Sequence, residues 1–298
     1  MASVDFYVNE TTRHADIILP PTAGLEHDNY DIVFNHLAVR NTTKYSAPLF
    51  DPAPDTRHDW QILLALARRV HAGSLLERLK ARLLYAYVGR LGPTGLLRRF
   101  LKKGHRAGQV NLPGLQASPH GIDLGPLESC LPDRLKTADK RIDVAPAVYA
   151  EAMRRLSDTL GHRAAYAANG TMQLIGRRDG RSHNSWLHNY RRLVKGKPRC
   201  TLLLHPQDAE RLGLADGDRA CITSRVGAVE APVQTSDEMM PGVASLPHGW
   251  GHDRDGVRLR VAAAHPGTSV NDLTDHERVD ALSGNAAFSG LPVSIAPV

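Results

Sequence analysis

Apolar runs at two different spacings mark the first 70 residues. VDFYV at 4–8 and ADIILPP at 15–21 are short and apolar, which is typical of strands, and two prolines end the second run. DWQILLALARRV at 59–70 repeats apolar residues at helical spacing. We therefore predict that 1–70 is a partial α/β domain, an α/β fragment of an open Rossmann-like sheet that belongs to a larger domain.

Residues 71–168 are predicted to form a helical and extended connector. Ser74 and Glu77 fit a capping box at the start of a helix, and Gly89 is a candidate for its end. A second short helix, TGLLRRFLKK, is expected to end at Gly104. Four apolar side chains fall on one face of the first helix, namely Leu76, Leu79, Leu83 and Tyr87.

The rest of the chain changes from an extended to a β pattern. Proline and glycine are frequent in 111–146, which is expected to be the extended part of the connector. A short helix is predicted between Pro206 and Gly213. Four apolar runs predict strands, namely CTLLL, ACITSR, AVEAPVQT and GVASLP. Short strands separated by glycine turns are typical of a closed barrel, so we predict a mainly β barrel domain over 169–298.

The composition is that of a globular protein. The chain has 298 residues, of which 42% are hydrophobic, and this is enough to bury a core. No run approaches the roughly 18 apolar residues of a membrane span, and the first residues lack the basic-then-apolar order of a secretory signal. We therefore expect a cytoplasmic protein. The three cysteines, Cys130, Cys200 and Cys221, have no C-x-x-C spacing, so neither a disulfide framework nor a zinc or iron–sulfur site is indicated.

The positive charge has two interpretations. The formal net charge of +6 and the pI near 9.3 favour an anionic partner. Between residues 68 and 106 the chain has eleven arginines and lysines but one acid, Glu77. This run is either a binding site for nucleic acid or a membrane surface, or the solvated face of helices. The aromatic residues of this run, Tyr85, Tyr87 and Phe100, do not alternate with its basic residues, so base stacking is not indicated.

A polar segment, GRRDGRSHNSWLHN at 176–189, combines many hydrogen-bond donors with one large aromatic ring. The planar fork of arginine suits phosphate, and tryptophan offers a stacking face. LPHGWGH at 246–252 and SVNDLTD at 269–275 add histidine, tryptophan and asparagine, with glycines that permit close backbone approach. Taken singly, each segment fits either a site for a phosphorylated ring compound or a solvent-exposed polar loop.

In this order, the segments resemble the C-terminal part of the molybdopterin oxidoreductases, the family that includes dimethyl sulfoxide reductase, formate dehydrogenases and nitrate reductases. The resemblance is carried by LIGRRDGRSHNSWLHN, HPQDAERLGLADGDRACITSRVGAV, MPGVASLPHGWGH, SVNDLTD and LSGNAAFSGLPVSI. NETTRHADIILPPTAGLEHD, HDWQILLALARRV and HGIDLGPLESCLPDRL are similar as well. The resemblance implies that 169–298 is a molybdopterin dinucleotide-binding domain with a double-psi β-barrel fold.

The resemblance also implies a cofactor, molybdopterin guanine dinucleotide with molybdenum or tungsten, and the residues that bind it. The donor-rich loop would contribute Gly176, Arg177, Arg178, Ser185, Trp186, His188 and Asn189. The glycine-framed turn would contribute Pro247, His248, Gly249, Trp250 and Gly251. Asn271 matches an asparagine near the pterin, and Thr11 and Asp16 fall in the stretch that resembles the nucleoside side.

Full members of the family carry further parts in a preceding portion. That portion supplies the cysteine, selenocysteine, serine or aspartate that binds the metal, and commonly the cysteines of a [4Fe–4S] cluster. We therefore expect no catalytic and no metal-ligating residue in this chain. We expect an oxidoreductase portion that is inactive until a missing N-terminal portion or a partner subunit completes it. Its other expected partner is a small-molecule substrate, with no nucleic acid and no membrane span.

The predicted function is thus to hold the dinucleotide for oxygen-atom, hydride or electron transfer. Other catalytic motifs do not compete with this interpretation, because the sequence has no H-E-x-x-H and no phosphate-binding G-x-x-x-x-G-K-[ST] loop. The alternative from another class is a non-catalytic basic protein that binds nucleic acid or a membrane surface through the run at 68–106.

Overall fold

A computed structural model describes residues 1–70, 73–104, 106–161 and 170–298, and the chain divides into two compact units. Unit 1 comprises Met1–Phe6 and Ala15–Arg141, and unit 2 comprises Tyr7–His14 and Ile142–Val298. The predicted boundaries at 70/71 and 168/169 both involve residues outside this description. By contacts between residues, the boundary between the two units lies after Arg141, apart from the segment Tyr7–His14.

The strands of unit 1 are two residues long. They are β1 (Ala2–Ser3), β2 (Ile17–Ile18), β3 (Asn29–Tyr30), β4 (Thr42–Thr43), β5 (Tyr45–Ser46) and β6 (Ile122–Asp123). β1 and β2 pair in parallel, whereas β3 pairs with β5 and β4 with β6 in antiparallel fashion. In the described part of this unit each sheet has two strands, so the open Rossmann-like sheet is not confirmed.

One strand prediction in unit 1 is wrong. VDFYV at 4–8 is not a strand, and the strand lies earlier, at Ala2–Ser3. The chain leaves unit 1 after Phe6, and the carbonyl oxygen of Val8 accepts a hydrogen bond from the backbone N–H of Arg258 at 2.9 Å. ADIILPP does contain a strand, but it is limited to β2.

Three helices complete unit 1, namely α1 (Asp59–Val70), α2 (Leu75–Lys103) and α3 (Leu112–Gln116). The capping box of Ser74 and Glu77 is confirmed at the start of α2. Gly89 does not end this helix, because the helix continues to a kink at Gly92, whose φ of 62° is non-helical, followed by Pro93. Proline lacks the backbone donor that a straight helix needs at this point.

The core of unit 1 is small. It consists of Tyr45, Leu97, Val110, Leu112 and Leu115. The last two lie in α3, so the prediction that 111–146 is extended throughout is wrong, because apolar side chains of this stretch pack into the core. The apolar face predicted on α2 is not part of this core, because Leu76 is 60% exposed and Leu83 is 65% exposed.

Unit 2 is built around a closed barrel of six strands. The strands are β7 (Met172–Arg177), β8 (Leu202–Leu204), β9 (Arg219–Thr223), β10 (Ala228–Thr235), β11 (Val243–Pro247) and β12 (Leu291–Pro297), in the order β10-β8-β11-β7-β12-β9. The helices in the described part of this unit are α4 (Ala147–Gly161), α5 (Arg191–Val194), α6 (Pro206–Leu212) and α7 (Arg260–Ala263). The predicted barrel and its four predicted strands are therefore confirmed.

Alternation along the strands fills the barrel. In β10 the inward residues Ala231 and Val233 are buried, and in β7 the same holds for Met172 and Leu174. The predicted helix α6 ends at Gly213, whose φ of 69° is the left-handed cap conformation. Among the described helices of the chain, none is long and apolar enough to cross a membrane.

Candidate functional site

Two of the three polar segments leave the same edge of the barrel. β7 and β11 are parallel neighbours, with Gly176 opposite Leu246 and Arg177 opposite Pro247. Because the carboxyl ends of parallel strands lie side by side, the segment 176–189 (the donor loop) and the segment 246–252 (the glycine loop) begin next to each other.

Two glycines bring the segments into contact. Gly249 has a φ of 90°, and a Cβ atom there would lie 2.0 Å from the carbonyl oxygen of Asn184 in the donor loop. Gly251 has a φ of 105°, and a Cβ atom there would lie 2.6 Å from the Cβ of Ser269 in the third segment. Only glycine combines this backbone conformation with such close approach. The glycine loop is therefore fixed between the other two segments.

A polar cluster lies where the donor loop meets the glycine loop. Arg178 donates to the side-chain oxygen of Asn184 and lies 3.1 Å from Nε2 of His248, which in turn lies 3.1 Å from the same oxygen of Asn184. Burial and the charge of Arg178 lower the pKa of His248. The predicted residues Arg178 and His248 are thus brought together, and they are joined by Asn184, which was not among the predicted site residues.

Arg177 has a different environment from the one expected. Its guanidinium group donates to the carbonyl oxygens of Ser245 at 3.1 Å, Thr201 at 2.9 Å and Arg199 at 3.3 Å. Burial lowers the pKa of this group. The side chain therefore joins β11 to the stretch 199–201, which leads into β8. This geometry gives no support to the expected phosphate contact.

Four polar side chains form a buried chain of hydrogen bonds. Ser182 Oγ lies 2.7 Å from His188 Nε2, His188 Nδ1 lies 2.8 Å from His252 Nε2, and His252 Nδ1 lies 2.6 Å from the carboxylate of Glu10. The two histidines are almost completely buried. Glu10 belongs to the segment Tyr7–His14, which unit 2 receives from the N-terminal end of the chain.

Two side chains of this hydrogen-bonded chain have shifted pKa values. Burial and the neighbouring charge of His252 lower the pKa of His188 to about 4, so His188 is neutral at pH 7. Burial alone would raise the pKa of Glu10, but the hydrogen bond to His252, a backbone hydrogen bond and the nearby histidines together outweigh it, so the net shift is downward. An ionised Glu10 accepts from Nδ1 of His252. The neutral His188 ring donates through one of its nitrogens and accepts through the other, so it links His252 to Ser182.

The two tryptophans of the predicted site differ in environment. Trp186 is 73% exposed, whereas Trp250 is buried and stacks on the His188 ring at a centroid distance of 4.0 Å. The indole N–H of Trp250 is buried without a hydrogen-bond partner in the described part of the chain. A buried donor without an acceptor is costly, so this atom is the kind of group that a bound ligand satisfies.

Trp250 also lines a cavity of about 710 Å³. The other walls include the stretch 194–200, the strands β9 and β10, and the segment 265–269. Cys200 lies in the wall, and burial raises the pKa of its thiol. The stretch 194–200 was not among the predicted site residues, although its two lysines and one arginine directly precede a predicted strand and could have indicated a binding surface.

The remaining predicted residues are distributed around this site. Asn189 accepts from the backbone N–H groups of Val261 at 3.0 Å and Ala262 at 3.3 Å, so it caps the start of α7. Ser185 and Pro247 lie in the two contacting loops, and Asn271 lies in a short 3-10 helix at Val270–Leu273.

Thr11 and Asp16, the two residues predicted on the nucleoside side, lie in different units. The backbone N–H of Thr11 donates to the side chain of Asn9 at 3.0 Å, within the segment that belongs to unit 2. Asp16 belongs to unit 1, where its carboxylate pairs with the amino group of Met1.

Comparison with known proteins gives this site a context. Residues 172–292 match the family described as "Molydopterin dinucleotide binding domain". Over an alignment of 318 residues the chain is 26% identical to the dimethyl sulfoxide/trimethylamine N-oxide reductase of Rhodobacter capsulatus, covering 96% of this chain and 35% of that protein. The chain thus resembles the C-terminal part of a molybdopterin oxidoreductase. The predicted resemblance is confirmed.

Two further comparisons show how much of this family the chain represents. The tetrathionate reductase of Salmonella typhimurium has one polypeptide that is 36% identical over 121 residues, which are 35% of this chain and 12% of that protein. The structure of acetylene hydratase from Pelobacter acetylenicus covers 94% of this chain and 38% of its own, with a TM-score of 0.61 and 16% identity, and it shows the fold alone. The chain spans about a third of the length of the reductase from Rhodobacter.

Proposed function

We propose that this chain holds the dinucleotide of a molybdopterin guanine dinucleotide cofactor, within an oxidoreductase that uses molybdenum or tungsten. The observation that carries the proposal is Trp250, a residue of the wall of the large cavity whose buried indole N–H has no partner in the described residues. Gly251 lines the same cavity, next to a turn whose glycines leave no room for a side chain. Such a surface admits a planar ring compound at close distance.

The residues present fit this group. Trp250 would donate to an acceptor on the heterocycle, and its position is fixed because its ring stacks on the neutral His188. Arg178 and His248 would offer donors to phosphate at the exposed edge of the same loops. When bound, the cofactor supplies the redox-active metal centre. The chain's own residues would bind and orient it, and none of them is proposed to ligate the metal.

The finer chemistry belongs to the whole protein. Because the chain spans about a third of the length of a reductase relative, the small-molecule substrate, the metal ligand and any iron–sulfur cluster are proposed to involve protein outside this sequence. The transfer of oxygen atoms, hydride or electrons would then require either further sequence of the same protein or a partner subunit.

The test is the amount of pterin dinucleotide that the protein retains when it is isolated from cells that make the cofactor. Trp250→Phe keeps an aromatic ring but removes the indole N–H, so a ligand acceptor loses its partner. We expect roughly a 5- to 100-fold lower affinity, corresponding to about 1–3 kcal/mol. Trp60→Phe, on the tryptophan of α1, which is not assigned to the cofactor, is the matched control. Equal retention by all three proteins would contradict the proposal, provided that thermal unfolding shows each to be folded.

A second candidate is a surface function of α2. The helix exposes Leu76, Leu79 and Leu83 together with its basic residues, and Arg99 lies 5.0 Å from the ring centroid of Tyr87. An exposed apolar face with basic neighbours is typical of helices that bind an anionic membrane surface. Binding to anionic vesicles that weakens steeply with salt, and that is lost in an Arg98→Gln/Arg99→Gln variant, would support this function.

A further inference from the structure

A second cavity, of about 500 Å³, lies beside the donor loop in unit 2. Four of the side chains that line it are cationic, namely Arg181, Lys195, Lys197 and Arg199, and one is anionic, Asp179. None of the four cations was assigned to the pterin dinucleotide above. The cavity adjoins the larger one, because Lys197 and Arg199 line both.

The charges in this cavity are not balanced by the protein. Asp179 lies 3.7 Å from Arg199, and one of its oxygens also accepts from the backbone N–H of Arg181 at 2.7 Å. Within the described residues, the side chains of Arg181, Lys195 and Lys197 form no ion pair. Three like charges around one concave surface repel each other, and this repulsion is relieved when an anion binds between them.

Local structure fixes the position of these cations. Lys195 is the C-terminal cap of α5, and Gly196 follows it with a φ of 103°, a turn conformation that favours glycine. Pro198 then restricts the backbone of Lys197, the residue before it. Arg199 is held because it donates to the carbonyl oxygen of Leu193. Two lysines and one arginine are therefore placed on a preformed turn, which lowers the entropic cost of binding.

We propose that this cavity binds a phosphoryl oxyanion of the size of phosphate or diphosphate. Two arginines offer planar forks of donors and two lysines offer compact charges, which is the combination that suits several phosphoryl oxygens at once. Arg177, at the start of the same loop, does not contribute because carbonyl oxygens occupy its donors. The phosphoryl group belongs either to a free compound or to the diphosphate of the dinucleotide.

The test is calorimetric titration of the full chain, free of cofactor, with inorganic pyrophosphate at constant ionic strength. The parent is expected to bind one pyrophosphate, and Lys195→Gln/Lys197→Gln is expected to bind it at least tenfold more weakly, because two charge-assisted contacts are lost. Arg98→Gln/Arg99→Gln, which removes two charges from α2, is the matched control and should bind like the parent. No binding by the parent, or equal binding by all three proteins, would overturn the proposal.

A second arm distinguishes the two sources of the phosphoryl group. Pyrophosphate is added to protein that retains the pterin dinucleotide, and released pterin is measured by its fluorescence. Release from the parent, which is absent in the double lysine variant, assigns the cavity to the diphosphate of the cofactor. Binding without release assigns it to a free phosphoryl compound. The proposal is separate from the assignment of Trp250, because Trp250→Phe can lose the cofactor while it still binds pyrophosphate.

Discussion

The two units of this chain use their apolar residues in opposite ways. In unit 2, six strands close into a barrel around a core of seventeen buried residues. In unit 1, two-residue strands pair two by two, and the core cluster has five buried residues. Leucines of α2 such as Leu76 and Leu83 are more than half exposed. Leucines therefore fill the barrel of unit 2, whereas in unit 1 many leucines of α2 remain exposed.

Closure explains the difference. A barrel has no unpaired edge, and alternation places every second side chain of its strands inside, so its sequence contains most of what it needs. Paired short strands leave edges and faces that must be covered by other groups. We therefore expect unit 2 to tolerate isolation better than unit 1, whose α2 leucines are exposed.

The largest expected effect is a cavity in the barrel core. Leu204 is fully buried in β8, so Leu204→Ala should lower the free energy of unfolding by about 2–5 kcal/mol. Leu76→Ala, on the exposed face of α2, should change it by less than about 0.5 kcal/mol. Urea unfolding of both variants measures the contrast. Similar losses would show that the face of α2 is buried in solution.

Protonation of the buried histidine chain should produce the next largest effect. His188 has a pKa of about 4 in the folded protein, below its value of about 6.5 in the unfolded chain. Its contribution to the free energy of unfolding is therefore complete above pH 6.5 and is lost as the pH falls toward 4. The loss should reach up to about 3 kcal/mol. Urea unfolding of unit 2 from pH 7 to 4 measures it. His188→Gln should remove this part of the slope, whereas His120→Gln in unit 1 should retain it.

The third largest effect is expected from the close contact between the glycine loop and the donor loop. Gly249→Ala introduces a Cβ atom 2.0 Å from a carbonyl oxygen, whereas Gly217→Ala has almost the same φ, 91°, and open space around it. Both variants share the backbone strain, so the difference between them isolates the contact, which we expect to cost about 1–3 kcal/mol. Melting of the two proteins side by side provides the measurement. Equal melting temperatures would mean that the loops separate without cost.

The smallest effect is expected on the basic face of α2. Arg99→Gln removes one charge over the ring of Tyr87, and at an exposed site such a contact contributes about 0.5–1 kcal/mol. Thermal unfolding at low and high salt should show little difference between the variant and the parent. A large loss would indicate that this surface is packed against something, in contrast to its exposure here.

Much of the barrel was predictable because its signals are local. Short apolar runs predicted β8 to β11, and Pro206 and Gly213 predicted the limits of α6. The strand β12 was not predicted, because its run is interrupted by prolines at Pro292 and Pro297. In unit 1, the apolar run at 4–8 looked like a strand, but whether such a run pairs depends on partners that are distant in sequence.

The sequence indicated which loops come together better than it indicated what each side chain contacts. Gly249 and Gly251 were chosen because glycine permits close backbone approach, and in the structure they lie against the neighbouring loops. Arg177 and Asn189 were chosen as donors for a ligand, but carbonyl oxygens hold the first and the second caps a helix. Polar groups are satisfied by whichever partner the fold supplies, and these partners lie 22 to 73 residues away.

Unit 2 consists of two separate stretches of the chain, because it includes the segment Tyr7–His14. Its residue Glu10 completes the hydrogen bonds of His252, and Arg13 donates to the carbonyl oxygen of Asp255 at 2.6 Å. An excised barrel of residues 169–298 would therefore bury an imidazole whose acceptor had been cut away. A synthetic peptide of residues 1–16 should restore its stability in trans, whereas the same peptide with Glu10→Gln should do so less well. Shortening the start of this chain therefore removes a hydrogen bond of the glycine loop, although 242 positions separate Glu10 from His252.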